Sequence, residues 1–156
     1  MLTGRGVLCH RRMSPRSTAT IPDQGLADAV QRLAEALAAM GAGEPEPYKA
    51  WWADSDDITL FGAWGPIEKG TQALMATFDW VGRRFTSGRL DPAYEAVETS
   101  GDLAYTVGFE RGEVSIDGGP PTPMTIRVTH ILKRIDGDWR LVHRHADFPP
   151  RDQREE

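Results

Sequence analysis

Three of the four histidines of this chain lie near its C-terminus, at His130, His143 and His145, and Asp147 follows two residues later. A neutral imidazole can take up and release a proton near neutral pH, so these residues suit general acid–base catalysis. A carboxylate beside an imidazole can orient the ring and fix its tautomer. We therefore take these four side chains as candidate catalytic residues, with His145 as the first candidate for the acid or base and Asp147 as its partner.

A β-hairpin is expected to bring these side chains together. Asp136-Gly137 is a strong two-residue turn signal, because a type I′ turn requires positive φ at both central positions. A regular hairpin with this turn places His130 opposite His143. Since side chains alternate between the faces of a strand, one face is then expected to hold Val128, His130, Leu132, Trp139, Leu141, His143, His145 and Asp147. The opposite face is expected to hold Arg127, Lys133, Arg140 and Arg144. The first face, apolar with embedded imidazoles, is typical of a pocket wall.

The same register leaves two alternatives open for the histidines. Cross-strand partners have Cβ atoms about 4.5–5.5 Å apart, so His130 and His143 could share a zinc ion, with His145 or Asp147 as a third ligand. Any pair of strands produces this spacing, so we assign no metal and no other cofactor. The histidines could also be purely structural, with hydrogen bonds to the backbone or to carboxylates at the edge of the sheet.

Aromatic and acidic side chains supply the further candidates for ligand contact, which are Tyr48, Trp52, Tyr105, Glu110 and Trp139. A tyrosine hydroxyl can bind the polar end of a ligand, and an indole ring can cover its apolar part. Trp139 follows the turn on the predicted inner face, where packing in the core accounts for it equally well. Glu110 and Arg111 must lie on opposite faces of one strand, and the inward charge needs a partner. The sequence leaves open which of the two points inward.

The bulk properties indicate a soluble globular domain with one core. The chain has 156 residues, of which 40% are hydrophobic and 26% charged. The net charge of −5 argues against a nucleic-acid-binding surface. No apolar run approaches the roughly 20 residues of a transmembrane helix. A single cysteine, Cys9, excludes an internal disulfide and favours a reducing, cytoplasmic location.

Composition also divides the chain into three segments. Residues 1–20 contain arginines and serines but no acidic residue, which is typical of a disordered or leader segment. We interpret residues 21–148 as the folded domain. Residues 149–156 are predicted to form a C-terminal tail.

Helical periodicity precedes strand periodicity along the domain. Apolar residues at three- and four-residue spacing follow Asp23 and predict an amphipathic helix that ends at Gly41. A short helix is predicted over 48–54, a strand over 56–61, and a third helix from Thr71 to Gly88. Further strands are predicted over 93–99, 103–116, 123–134 and 138–147. Helices followed by long strands indicate an α+β fold with the helices on one side of an antiparallel sheet.

This order of elements resembles the SnoaL-like, ketosteroid-isomerase-like branch of the nuclear-transport-factor-2-like (NTF2-like) superfamily. The resemblance covers about Ala27 to Phe148, and its most specific part is the C-terminal hairpin, with Asp136-Gly137-Asp138-Trp139 and Val142-His143-Arg144-His145-Ala146-Asp147. It implies a cone-shaped fold in which three N-terminal helices pack on a strongly curved antiparallel β-sheet around a pocket. It also implies a homodimer that packs through the outer face of the sheet.

The resemblance leaves the function open, because this fold carries enzymes, ligand-binding proteins and assembly domains. In ketosteroid isomerase a general-base aspartate occupies the position that corresponds to Gly62, and glycine has no side-chain proton acceptor. We therefore predict a protein that binds a small organic molecule. It is either a cofactor-independent isomerase, cyclase, hydratase or lyase that uses pocket His and Asp side chains, or a non-catalytic ligand-binding or oligomer-assembly domain.

Overall fold

The first helix matches the sequence prediction closely. A computed structural model of the protein describes residues 23–150, so the predictions for residues 1–20 and for most of the C-terminal tail fall outside the described residues. Helix α1 spans Gln24–Gly41, and the Oδ1 atom of Asp23 accepts a hydrogen bond from the backbone N–H of Leu26 at 3.0 Å. The apolar stripe of α1 is buried in the core, at Leu26, Val30, Leu33, Leu37 and Met40.

The two later helices are both shorter than predicted. Helix α2 spans only Glu46–Lys49, and α3 spans Thr71–Arg84. After α2 the chain straightens, because the backbone N–H of Ala53 donates to the carbonyl of Leu141 in the last strand. After α3 the chain enters a strand directly at Phe85. Within the described part of the chain, no helix is long and apolar enough to cross a membrane.

Among residues 23–150, six strands form one sheet, in the order β2-β1-β6-β5-β4-β3. Their bounds are Thr59–Phe61 for β1, Ile67–Lys69 for β2, Phe85–Ser100 for β3, Leu103–Ile116 for β4, Thr122–Ile135 for β5 and Asp138–Asp147 for β6. The sequence did not predict β2. It also did not predict that β1 pairs with β6 in parallel, whereas all other pairs are antiparallel.

The helices pack on one face of this sheet, which confirms the α+β fold class. Strand β3 has two irregularities in its pairing with β4, at Phe85/Ser87 and at Tyr94/Ala96. Such irregularities bend a strand and allow a sheet to curve around a helix. The inner face of the sheet then buries its apolar side chains against α1 and α3, and it forms the wall from which the site is built.

Candidate functional site

The predicted hairpin turn between β5 and β6 is confirmed. Asp136 and Gly137 have φ angles of 52° and 82°, and Ile135 pairs with Asp138. Positive φ at both central residues is the requirement of a type I′ turn, which Asp-Gly satisfies at low cost.

Beyond the turn, strand β6 contains a bulge that changes which side chains face the core. Pairing is regular as far as Leu132, which lies opposite Leu141, but the next residue of β5, Ile131, lies opposite His143. Val142 is therefore an extra residue with no counterpart on β5. An extra residue shifts the alternation by one position, so the following side chains exchange faces relative to an unbroken strand.

The predicted register, with His130 opposite His143, is therefore wrong. Arg144 lies opposite His130, and both side chains are buried on the inner face. His143, His145 and Asp147 lie instead on the outer face of the sheet. Because of the same bulge, Arg144 lies on the inner face and not in the outer row of arginines that the sequence predicted.

Arg144 forms a buried ion pair with Glu110 of β4. Its Nη1 atom lies 2.6 Å from Oε1 of Glu110, and its Nη2 atom lies 2.9 Å from Oε2. The side chains are 11% and 5% exposed. Of the two neighbouring residues Glu110 and Arg111, Glu110 therefore points inward. Arg111 is exposed, and its guanidinium lies over the ring of Phe109. This two-point geometry satisfies both charges at once, which a buried ion pair requires.

His130 connects this ion pair to Tyr48 of α2. The Nε2 atom of His130 lies 2.8 Å from the hydroxyl oxygen of Tyr48 and 3.3 Å from Nη1 of Arg144. Burial, reinforced by the charge of Arg144 and by His143, holds the pKa of His130 well below 6.5, so the imidazole is neutral. Because a guanidinium can only donate, the network assigns Nε2 as an acceptor and places the ring proton on Nδ1.

Tyr48 is held rigidly in this network. Its ring makes edge contacts with Trp52 and with Phe78, at centroid distances of 6.1 and 5.1 Å. Burial raises the pKa of the Tyr48 hydroxyl far above its ordinary value of 10, and the nearby charge of Arg144 offsets only part of this effect. The phenol therefore keeps its proton and can donate it in a hydrogen bond to His130.

A cavity of about 70 Å³ opens above this network. Most of its wall is apolar and comes from α1, α3 and the turn between β1 and β2. Four polar side chains also line it, namely Tyr48, Thr77, Glu110 and Arg144. His130 does not line this cavity and lies behind Tyr48 and Arg144. The arrangement can present hydrogen-bonding groups to one end of a ligand whose remainder is apolar.

The turn between β1 and β2 covers one side of the cavity. Gly62 and Trp64 both line it, so the position at which ketosteroid isomerase has its base lies in the wall but carries no side chain. The Trp64 ring lies 5.2 Å from the ring of Phe85, and the guanidinium of Arg84 lies 4.3 Å from the Trp64 centroid. These contacts hold Trp64 in the wall of the cavity.

Residues 29–150 match the family model described as the SnoaL-like domain. The chain belongs to the SnoaL-like family. Among solved structures, a candidate dehydratase of the NTF2-like family from Streptomyces avermitilis has a TM-score of 0.67 and 18% identity, over 81% of this chain and 95% of that chain. A candidate calcium/calmodulin-dependent protein kinase II association domain from Xanthomonas campestris has a TM-score of 0.68 and 18% identity, over 90% and 99%. At such identities these likenesses show the fold alone.

One curated relative is much longer than this SnoaL-like chain. The match to a probable arabinosyltransferase B of Mycolicibacterium smegmatis is 30% identical over an alignment of 120 residues and covers 69% of this chain. It spans only about 10% of the length of that protein.

The two histidines on the outer face of the SnoaL-like domain form a separate cluster with β1. The Nδ1 atom of His143 lies 2.7 Å from the hydroxyl oxygen of Thr59. The rings of His143 and His145 both meet the ring of Phe61 edge-on, at 5.7 and 5.4 Å. Burial and the neighbouring His145 lower the pKa of His143 from its ordinary value.

Asp147 pairs with Arg127, also on the outer face. The hydrogen bonds from the Arg127 guanidinium, together with the charges of Arg127 and His145, lower the pKa of the Asp147 carboxylate. The zinc alternative required His130 and His143 on one face, and the sheet separates them. Among residues 23–150, no group of three potential metal-ligating His, Cys, Asp or Glu side chains lies close together.

The remaining candidates for ligand contact are also distributed over both faces. Tyr105 is 44% exposed on the outer face, away from the cavity. Trp52 is buried against Tyr48 but does not line the cavity, and its Nε1 atom has no hydrogen-bond partner among the described residues. Trp139 is buried in the core, where the guanidinium of Arg134 lies 4.6 Å from its ring centroid.

Arg144 is the residue of this site that the sequence prediction placed on the wrong face. The sequence nevertheless contains an indication that Arg144 points inward. An inward Glu110 needs a cation nearby, and the central inner face of β5 offers only apolar side chains and His130. An arginine on the inner face of β6 meets that need. The alternation rule excluded Arg144, since the bulge at Val142 was not anticipated.

Proposed function

We propose that this SnoaL-like domain binds a small, largely apolar organic molecule in the cavity, and that Tyr48 and His130 exchange a proton with it. The observation that carries the proposal is the hydrogen bond between Tyr48 and His130 at the base of the cavity, beside the Arg144–Glu110 pair. Buried polar groups are costly unless they are paired. A paired network at the end of an apolar cavity is well suited to orient one polar group of a ligand.

The geometry supports a proton relay that needs no cofactor. A ligand that gives a proton to the hydroxyl oxygen of Tyr48 lets the tyrosine pass its own proton to Nε2 of His130, and the reverse transfer returns a proton to another ligand atom. These steps fit an isomerase, cyclase, hydratase or lyase.

We expect Tyr48→Phe and His130→Gln each to lower kcat about 10²–10⁴-fold, the usual range for a lost acid–base group. The measurement is turnover of a substrate found by incubating the protein with metabolite mixtures and following them by NMR. His145→Gln is the matched control, because His145 lies across the sheet from the cavity. The catalytic role of His143, His145 and Asp147 stays a prediction, and loss of turnover in His145→Gln with retention in Tyr48→Phe would favour it.

The alternative function, a non-catalytic ligand-binding or assembly domain, makes a different prediction in the same assay. In that case Tyr48→Phe would change the affinity for a ligand, and no turnover would be detected for wild type or for any variant. This alternative has a supporting observation on the outer face of the sheet, where Phe61, Tyr105 and Val107 are exposed apolar side chains. Exposed apolar patches commonly mark interaction surfaces.

We further propose that this outer face packs against a second copy of the chain. Val107→Glu introduces a charge in the centre of the exposed apolar strand face and is expected to convert a dimer into a monomer in sedimentation-equilibrium experiments. Ile67→Glu is the control, because Ile67 is an exposed apolar residue on the edge strand β2. A wild-type monomer at all concentrations, or equal dissociation of both variants, would contradict this interface.

A further inference from the structure

The two charged side chains that line the cavity cancel each other. Glu110 contributes one negative charge and Arg144 one positive charge, and their atoms are in direct contact. Tyr48 and Thr77 are the remaining polar side chains of the wall and are uncharged. His130, behind them, receives hydrogen bonds at Nε2 and is uncharged as well.

The pairing also determines which groups a ligand can use. Both Nη atoms of Arg144 donate to the carboxylate of Glu110, so the guanidinium has no unpaired charge to offer. A ligand carboxylate would lose its hydration and meet the carboxylate of Glu110 in the same wall. An uncharged hydroxyl or amide group has a smaller desolvation cost and can donate a hydrogen bond to the hydroxyl oxygen of Tyr48, whose own proton is donated to His130.

We propose that the cavity selects uncharged molecules with one hydrogen-bonding group on an apolar skeleton, that it excludes carboxylates, and that Glu110 sets this selectivity. The inference names the ligand class of the function proposed above and rests on that function. It adds a specificity-determining role for Glu110, which acts by neutralising Arg144.

The size of the cavity guides the choice of test molecules. Its volume of about 70 Å³ is smaller than the roughly 150 Å³ of an engineered protein cavity that binds benzene. The probes are therefore small amide–carboxylate pairs of matched shape, which begin with acetamide and acetate and increase in size to isobutyramide and isobutyrate. Within each pair only the charge differs, so a difference in affinity reports charge selection.

The experiment follows the indole N–H signal of Trp64, which lines the cavity, in ¹H–¹⁵N NMR titrations of the full chain at neutral pH. The signal is assigned with Trp64→Phe. For wild type we expect the amide of each pair that fits to bind at least about tenfold more tightly than its carboxylate, because a buried like-charge contact opposes the carboxylate. Equal or tighter binding of the carboxylates would overturn the inference and leave the ligand-binding function intact.

Two variants test whether Glu110 is the cause. Glu110→Gln frees the charge of Arg144, so the order within each pair is expected to reverse. Glu113→Gln removes an exposed carboxylate from the same strand and should leave the selectivity unchanged. If Glu110→Gln does not fold, the wild-type comparison alone decides on charge selection. If no member of any pair shifts the Trp64 signal in wild type, the proposed ligand-binding function fails and the inference fails with it.

Discussion

Removal of either member of the Arg144–Glu110 pair is expected to lower the free energy of unfolding by about 3–5 kcal/mol. Glu110→Leu leaves the guanidinium of Arg144 as a buried charge without its partner, and Arg144→Met does the same to the carboxylate of Glu110. Since both side chains are nearly inaccessible, water cannot replace the missing partner. Urea denaturation followed by tryptophan fluorescence measures the loss through the shift of the midpoint.

The double variant Glu110→Leu/Arg144→Met separates the cost of an unpaired charge from the value of the pair. With no charge left, we expect it to be more stable than either single variant, because apolar side chains of similar volume can replace a buried ion pair at little cost. The exposed pair Arg89–Asp91 supplies the control, and Asp91→Asn should cost less than about 1 kcal/mol. Additive losses in the double variant would show that the two residues stabilise the fold independently.

The parts of this fold that depend on local sequence were predictable. Asp23 caps α1 because its carboxylate reaches a backbone N–H three residues away, and Asp136-Gly137 forms its turn because of φ preferences at two positions. Helical periodicity followed by strand periodicity predicted the α+β class and the order of most elements, and the family resemblance implied the cone. Each of these features is decided by residues that are neighbours in the chain or by a pattern that many chains share.

The bulge at Val142 depends instead on contacts between distant segments. Leu141, just before it, pairs with Trp52 next to α2, whereas His143, just after it, pairs with Thr59 of β1. Strand β6 thus changes its neighbour at the bulge, and both neighbours lie far from β6 along the chain. The sequence of β6 contains no local pattern that indicates this change. A prediction from strict alternation therefore assigned the wrong face to every residue after Val142.

The bulge has a large effect on the site. A shift of one residue decides whether imidazoles and a carboxylate or a guanidinium point into the core. An unbroken strand would have put two imidazoles and a carboxylate into the core, whereas the bulge puts Arg144 there and leaves His143 and His145 at the outer surface. Glu110 supplies the matching charge, and Tyr48 reaches the network from α2. Of the candidates proposed from sequence, Tyr48, Glu110 and His130 therefore belong to the buried network, with Arg144 added.

Acidification is expected to destabilise the protein through His130. The pKa of this buried imidazole lies well below 6.5 in the folded state, whereas the unfolded chain has the ordinary value. Below about pH 6.5 the unfolded state therefore binds a proton that the folded state rejects, so stability falls as the pH falls. From about pH 7 to about pH 5 the loss from this group is at most about 2 kcal/mol, and His143, whose pKa is also lowered, adds to it in the same direction.

His130→Gln tests this origin, since its amide oxygen can accept hydrogen bonds from Tyr48 and Arg144 but does not titrate. Urea unfolding at a series of pH values between these limits should show a shallower dependence on pH for His130→Gln than for wild type. Tyr48→Phe is the control, because it removes a hydrogen bond from His130 yet leaves the imidazole buried, and its pH dependence should stay steep. If His130→Gln kept the full wild-type slope, the loss would have to arise at other groups. His130 would then not be the neutral acceptor on which the proposed proton relay depends.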